Sequence, residues 1–86
     1  MSNQEQHRQA LLLRLRKVEG QVRGIQKMIS DDTPCDAIAQ QMAAARKALD
    51  RAFFEMTACL LQQTAEDPDT QQEGIAKAIE LIRKYA

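Results

Sequence analysis

The stretch Cys35-Asp36-Ala37-Ile38-Ala39-Gln40-Gln41-Met42-Ala43-Ala44-Ala45-Arg46-Lys47-Ala48-Leu49-Asp50-Arg51-Ala52-Phe53-Phe54-Glu55-Met56-Thr57-Ala58-Cys59 decides the fold. Within it Cys35, Ile38, Met42, Ala45, Leu49, Ala52, Met56 and Cys59 recur at steps of three and four residues, the spacing that lines side chains along one stripe of an α-helix. Pro34 and Pro68 bracket the stripe with no glycine between them, so one long helix is predicted. Its two thiols are separated by roughly 36 Å at the helical rise per residue, and they cannot meet within one chain. If two copies pack antiparallel with Leu49 opposite Ala45, then Met42 falls on Ala52, Ile38 on Met56 and Cys35 on Cys59 of the second copy. That register satisfies the apolar stripe and creates two symmetric dithiol sites between subunits.

Eighty-six residues make one small domain, spanning 1–86, and a three-helix chain of that size buries little surface by itself, so a homo-oligomer is expected. The 44% hydrophobic content comes with only three aromatic residues, and the abundance of Ala, Leu, Gln and charge suits helices rather than sheet. The fold class expected is all-α. No stretch approaches a membrane span, and Met1-Ser2-Asn3-Gln4-Glu5 lacks the basic flank and apolar run of a secretory signal. A cytoplasmic location is expected, with no membrane partner. Thiols are kept reduced there, which points to reactive, metal-binding or simply buried cysteines rather than a permanent bridge.

Net charge is zero, but residues 1–30 carry a balance of plus four and the remainder minus four. A basic first helix repeated by an oligomer suits a polyanion; an ordinary solvated helix face is the alternative. The first helix is predicted over residues 4–30, since Leu11, Leu15, Val18, Val22, Ile25 and Ile29 recur at helical spacing. Gly20 and Gly24 interrupt it on one face, where they fit a close helix neighbour or a DNA backbone. Thr33 is the expected N-cap of the second helix, with Pro34 at its first position, and this helix continues to about Ala65. Thr70-Gln71-Gln72-Glu73 resembles a capping box opening a third helix through Ile75, Ile79 and Ile82 to Tyr85.

Two segments carry a family resemblance. Arg14-Leu15-Arg16-Lys17-Val18-Glu19-Gly20-Gln21-Val22-Arg23-Gly24-Ile25, and Cys35 followed by Ile38-Ala39-Gln40-Gln41-Met42-Ala43-Ala44-Ala45-Arg46, closely resemble the CsoR/RcnR/FrmR family of bacterial repressors. Ile79-Glu80-Leu81-Ile82-Arg83-Lys84-Tyr85 extends the likeness over nearly the whole chain. The resemblance implies a three-helix protomer whose second helices pair antiparallel into a dimer, and a disc-shaped tetramer built as a dimer of dimers. It also implies operator DNA bound without a helix-turn-helix, and release when an inducer reaches the cysteine site.

The family's sensing cysteine maps onto Cys35. Where copper-sensing members carry a His and a second Cys, this chain has Leu60 and Thr64. Formaldehyde-sensing members pair the cysteine with an amino-terminal proline, whereas Ser2 stands here, which disfavours that inducer. Persulfide-sensing members, the closest in sensing logic, hold their second cysteine at the position of Thr64, whereas this chain places it at Cys59. For a lone Cys35/Cys59 pair, sulfane sulfur from persulfides or polysulfides is the preferred inducer, because thiolates take up such sulfur and a second thiol resolves the product. Cu(I), held by the same two thiolates, is the alternative; no cofactor is required. Zn(II), Ni(II) and Co(II) want more ligands than the pair offers, and the single histidine, His7, is expected to face solvent.

By position and resemblance, the DNA-contacting candidates are Arg14, Arg16, Lys17 and Arg23 on the first helix and Arg46, Lys47 and Arg51 on the second. Arg51 has an alternative partner in Glu55, one turn on, and Lys47 in Asp50. A small thiol enzyme is disfavoured by the lack of a Cys-x-x-Cys pair or a catalytic constellation. A helical adaptor without DNA binding explains the heptads but not the localised basic helix. The function expected is therefore a DNA-binding transcriptional repressor released by modification of its thiols.

Overall fold

A computed structural model describes residues 3–86 as three helices, α1 (Asn3–Ser30), α2 (Cys35–Ala65) and α3 (Pro68–Tyr85). The architecture is all-α, as the periodicity predicts. α2 is central, with α1 packed antiparallel on it and α3 folded back against its second half, while α1 and α3 do not pack on each other. Along its shortest axis the protomer measures 12 Å, about the diameter of one helix. The protomer is thus a single layer, and among the described residues no large side chain is fully buried.

The connections differ from the expected caps. α1 ends with Thr33 N–H donating to the Met28 carbonyl at 3.0 Å and Asp31 N–H to Lys27 at 2.9 Å, around Asp32 at φ 57°. This is a Schellman-type stop in which Asp32 takes the left-handed position, which the short acidic side chain tolerates. Thr33 does not cap α2; Pro34 occupies the N-cap position, and no side chain caps the helix. The extended backbone of Pro34 already turns the chain, which leaves the first N–H groups of α2 open. α3 begins at Pro68 instead of at a capping box, with Asp67 as N-cap accepting from Asp69 N–H at 3.0 Å. Thr70 sits inside that first turn, and its hydroxyl donates back to the Thr64 carbonyl at 3.1 Å, tying the α2–α3 corner.

The seam expected along α2 divides into two lines seven residues apart. Ala45, Ala52 and Cys59 are 8%, 3% and 5% exposed, whereas Met42, Leu49 and Met56 are each about half exposed at 50%, 51% and 50%. α1 divides the same way, burying Leu11, Val18 and Ile25 and leaving Leu15, Val22 and Ile29 open. In an antiparallel hairpin that turns over residues 31–34, the buried lines fall at alternating levels, Ala45 between Val18 and Ile25, and Ala52 between Leu11 and Val18. Alanine on α2 lets the larger α1 side chains approach closely. Each open line is rotated about 60° from its buried neighbour, and in antiparallel helices both rotations fall on the same side. One face of the hairpin is therefore apolar and uncovered. The register that set Ala45 against Leu49 of a second copy is corrected accordingly, because Ala45 is already occupied by its own α1.

Gly74, rather than Gly20 or Gly24, makes the tight helix contact. A Cβ added at Gly74 would overlap the Thr64 side chain, whereas nothing lies within 4 Å of one added at Gly20 or Gly24. Gly74→Ala should lower stability by about 2 kcal/mol, read as a lower denaturant midpoint. Gly20→Ala should leave it unchanged or raise it by up to about 1 kcal/mol.

Candidate functional site

On the face opposite the apolar one, α1 and α2 form a cleft of about 290 Å³ lined by Arg14, Lys17, Gln21, Ala44, Lys47, Ala48 and Arg51. The helical period sets Arg14, Lys17 and Gln21 on one edge of α1, and Ala44, Lys47, Ala48 and Arg51 on the facing edge of α2. Four cations converge there and no carboxylate lines the cleft. The ion pair between Arg23 and Glu19 at 2.7 Å lies elsewhere, as does the contact of His7 Nδ1 with Glu55 at 3.6 Å. Glu55 thus faces His7 rather than Arg51, and the Lys47–Asp50 alternative does not form either. His7, expected in solvent, is half-buried, with 23% of its side chain exposed. Gln21 Oε1, buried beside the cleft, has no hydrogen-bond partner among the described residues.

Of the seven expected DNA-contacting residues, Arg14, Lys17, Lys47 and Arg51 come together. Arg16 lies exposed outside the cleft, Arg23 is engaged with Glu19, and Arg46 sits beside Ala39, Met42 and Ala43 at the edge of the apolar face. Gln21 was not among those candidates. Its position one turn from Lys17 and two from Arg14 on the basic edge is the signal that marks it.

The cysteines occupy different settings. Cys35 is the first residue of α2, exposed, and continues the open line of Met42, Leu49 and Met56. Cys59 is buried and ends the inner line. It lines a cavity of about 360 Å³ with Arg8, Phe53, Met56, Thr57, Leu60, Gln63 and Leu81. The Thr57 hydroxyl donates to the Phe54 carbonyl at 2.7 Å, which turns its proton away from this space. Met56 belongs to the open line, and Arg8 falls one heptad before Leu15 on the open line of α1, so the cavity lies at one end of the apolar face and Cys35 at the other. Among the described residues no three His, Cys, Asp or Glu side chains gather around one point.

A family model described as "Metal-sensitive transcriptional repressor" matches residues 7–84. The chain belongs to that repressor family. Its work is regulatory binding to DNA rather than catalysis. The repressor is also similar to a Serratia marcescens chain described as "Uncharacterized protein in bioA 5'region", 25% identical over 89 residues that cover 99% of this chain and 98% of that one. No solved structure matches. No helix among the described residues is long and apolar enough to cross a membrane.

The contrast in exposure sets the order of thiol reactivity. In the reduced repressor a bulky maleimide should label Cys35 at least about tenfold faster than Cys59, because a reagent too large for the space beside Cys59 must await opening of the structure. Peptide mapping after timed labelling reads both rates, and the two should converge in denaturant.

Proposed function

We propose that this repressor binds operator DNA through the Arg14/Lys17/Lys47/Arg51 cleft and releases it when sulfane sulfur modifies Cys35 and Cys59. The observation that carries the DNA reading is the cleft itself, four cations from two helices with no carboxylate among them. Such a surface neutralises phosphates, and Gln21 adds an amide able to hydrogen-bond beside them. Arg16, Arg23 and Arg46 lie outside this surface and are assigned outer contacts at most.

The apolar face supports oligomerisation. Covering half-exposed Leu15, Val22, Ile29, Met42, Leu49 and Met56 with a second copy contributes about 1 kcal/mol per side chain. Antiparallel pairing of two such faces, with Met42 over Leu49 of the second copy, carries Cys35 of one copy to the Met56 end of the other, beside the Cys59 cavity. The dithiol site between subunits is thus retained in a changed register. A dimer of dimers would double the number of basic clefts presented to DNA.

In the proposed chemistry the Cys59 thiolate attacks a sulfane sulfur of a polysulfide, forming a persulfide and expelling a chain one sulfur shorter. The Cys35 thiolate of the second copy then attacks the inner sulfur of that persulfide, releasing hydrosulfide and leaving a cross-link. Cu(I) is the second reading. The family's metal-sensing character supports it, as does Met56, a third soft sulfur beside Cys59.

The test is fluorescence anisotropy of the reduced protein on DNA from upstream of its own gene. Binding should weaken steeply with salt, and Lys47→Ala or Arg51→Ala should cost about tenfold in affinity and flatten the salt dependence. Anaerobic polysulfide should release the DNA from the parent but not from Cys35→Ala or Cys59→Ala. Full release from Cys59→Ala would refute the paired-thiol reading, and release by Cu(I) alone would select the second.

A further inference from the structure

The cavity beside Cys59 has a chemical character that the sensing thiols alone do not explain. Its walls are apolar, formed by Phe53, Met56, Leu60 and Leu81, while Arg8 contributes the one charge among its lining residues. Arg8 makes no ion pair among the described residues. Arg8 is exposed to solvent, so it attracts an anion as a surface guanidinium does, within reach of salt screening, while the apolar wall beside it offers contact to the uncharged part of the ligand. The apolar walls add a requirement that the rest of the ligand be poorly hydrated.

We infer that Arg8 and the Cys59 cavity form a recognition site for a small amphiphilic anion, and that this site selects inorganic polysulfide as the inducer. Such an ion has a charged sulfur terminus for the guanidinium and a polarisable, weakly hydrated sulfur chain for the walls. Held there, its inner sulfurs lie along the side on which Cys59 is found. Neutral electrophiles gain nothing from Arg8, and a cuprous ion is opposed by it, so the residue ranks inducers by charge. Arg8 also belongs to the same continuous helix as Arg14 and Lys17, which places the recognition step and the DNA-facing cations on one rigid element. This assignment rests on the proposed sensing role of Cys59.

The experiment compares second-order rates of Cys59 modification in full-length protein carrying Cys35→Ala, so that a single thiol is read by intact mass under anaerobic conditions. Inorganic tetrasulfide is the anionic reagent and dimethyl trisulfide the neutral one, applied to proteins with Arg8, Arg8→Lys and Arg8→Gln whose helical content is matched by circular dichroism. Arg8→Gln should slow tetrasulfide about tenfold or more and change the trisulfide rate less than about twofold, with Arg8→Lys keeping most of the anionic rate. High salt should narrow the difference between the reagents in the Arg8 protein only. Equal slowing of both reagents would show that Arg8 acts on the thiol or on packing, and no slowing would show that it does not act at all; either overturns the inference while leaving Cys59 as a sensor. Failure of both reagents to modify Cys59 when Arg8 is intact would instead overturn the sensing role beneath it.

Discussion

Everything in this protomer follows from the interleaving of Leu11, Val18 and Ile25 on α1 with Ala45, Ala52 and Cys59 on α2. Small residues on the central helix allow close approach, and the approach uses up one edge of a stripe that is two residue lines wide. Folding a chain of 86 residues into a single layer 12 Å thick leaves the second line without cover. At about 1 kcal/mol for each half-exposed side chain, the six on the open lines represent an energy comparable to the whole stability of a small domain. The protomer is in this sense unfinished, and its uncovered face belongs to the design of the assembly.

The same hairpin sorts charge from apolarity. Rotating about 60° from the contact line in one sense meets methionine, leucine, valine and isoleucine; rotating the other way meets Arg14 at about 60°, Lys17 and Arg51 at about 100° and Lys47 at about 150°. Four like charges held close in one cleft repel, a cost relieved by any bound polyanion. Self-association and DNA binding therefore need not compete for surface, which is what a regulator assembled from so few residues requires.

The sequence made the helices legible because each is long and strongly periodic; their observed ends lie within two residues of the expected ones. The caps were harder. Thr33 and Thr70 both suit an N-cap in isolation, yet Pro34 and Asp67 hold those positions, since a rigid proline at one corner and an Asp-Pro-Asp turn at the other fix the backbone first. The seam showed a further limit: steps of three and four describe one stripe equally well whether it meets one neighbour or two. Only the hairpin reveals that Ala45 faces inward while Met42 faces out. Four of the seven basic candidates converge because helical spacing fixes their edge. Arg8 and the His7–Glu55 contact depend on how the two helices meet, which no one-dimensional pattern contains.

Cys59 is the point where these threads cross. It ends the inner line, so it helps hold α1 against α2, and it also borders the cavity at the end of the apolar face. On the proposed reading the added sulfur enters the adjoining cavity, and it is the cross-link to Cys35 of a second copy that pulls on this end of the hairpin. The least expensive relief is a shift of one helix against the other. Because α1 and α2 are also the two walls of the basic cleft, that shift alters the spacing of its cations. A modification can move the equilibrium only as far as its free energy differs between the two arrangements. A few kcal/mol per subunit, summed over an oligomer, is enough to change DNA affinity by orders of magnitude. On the proposed reading, a thiol on the inner line of the hairpin is thus better coupled to the cleft than one held by neither contact.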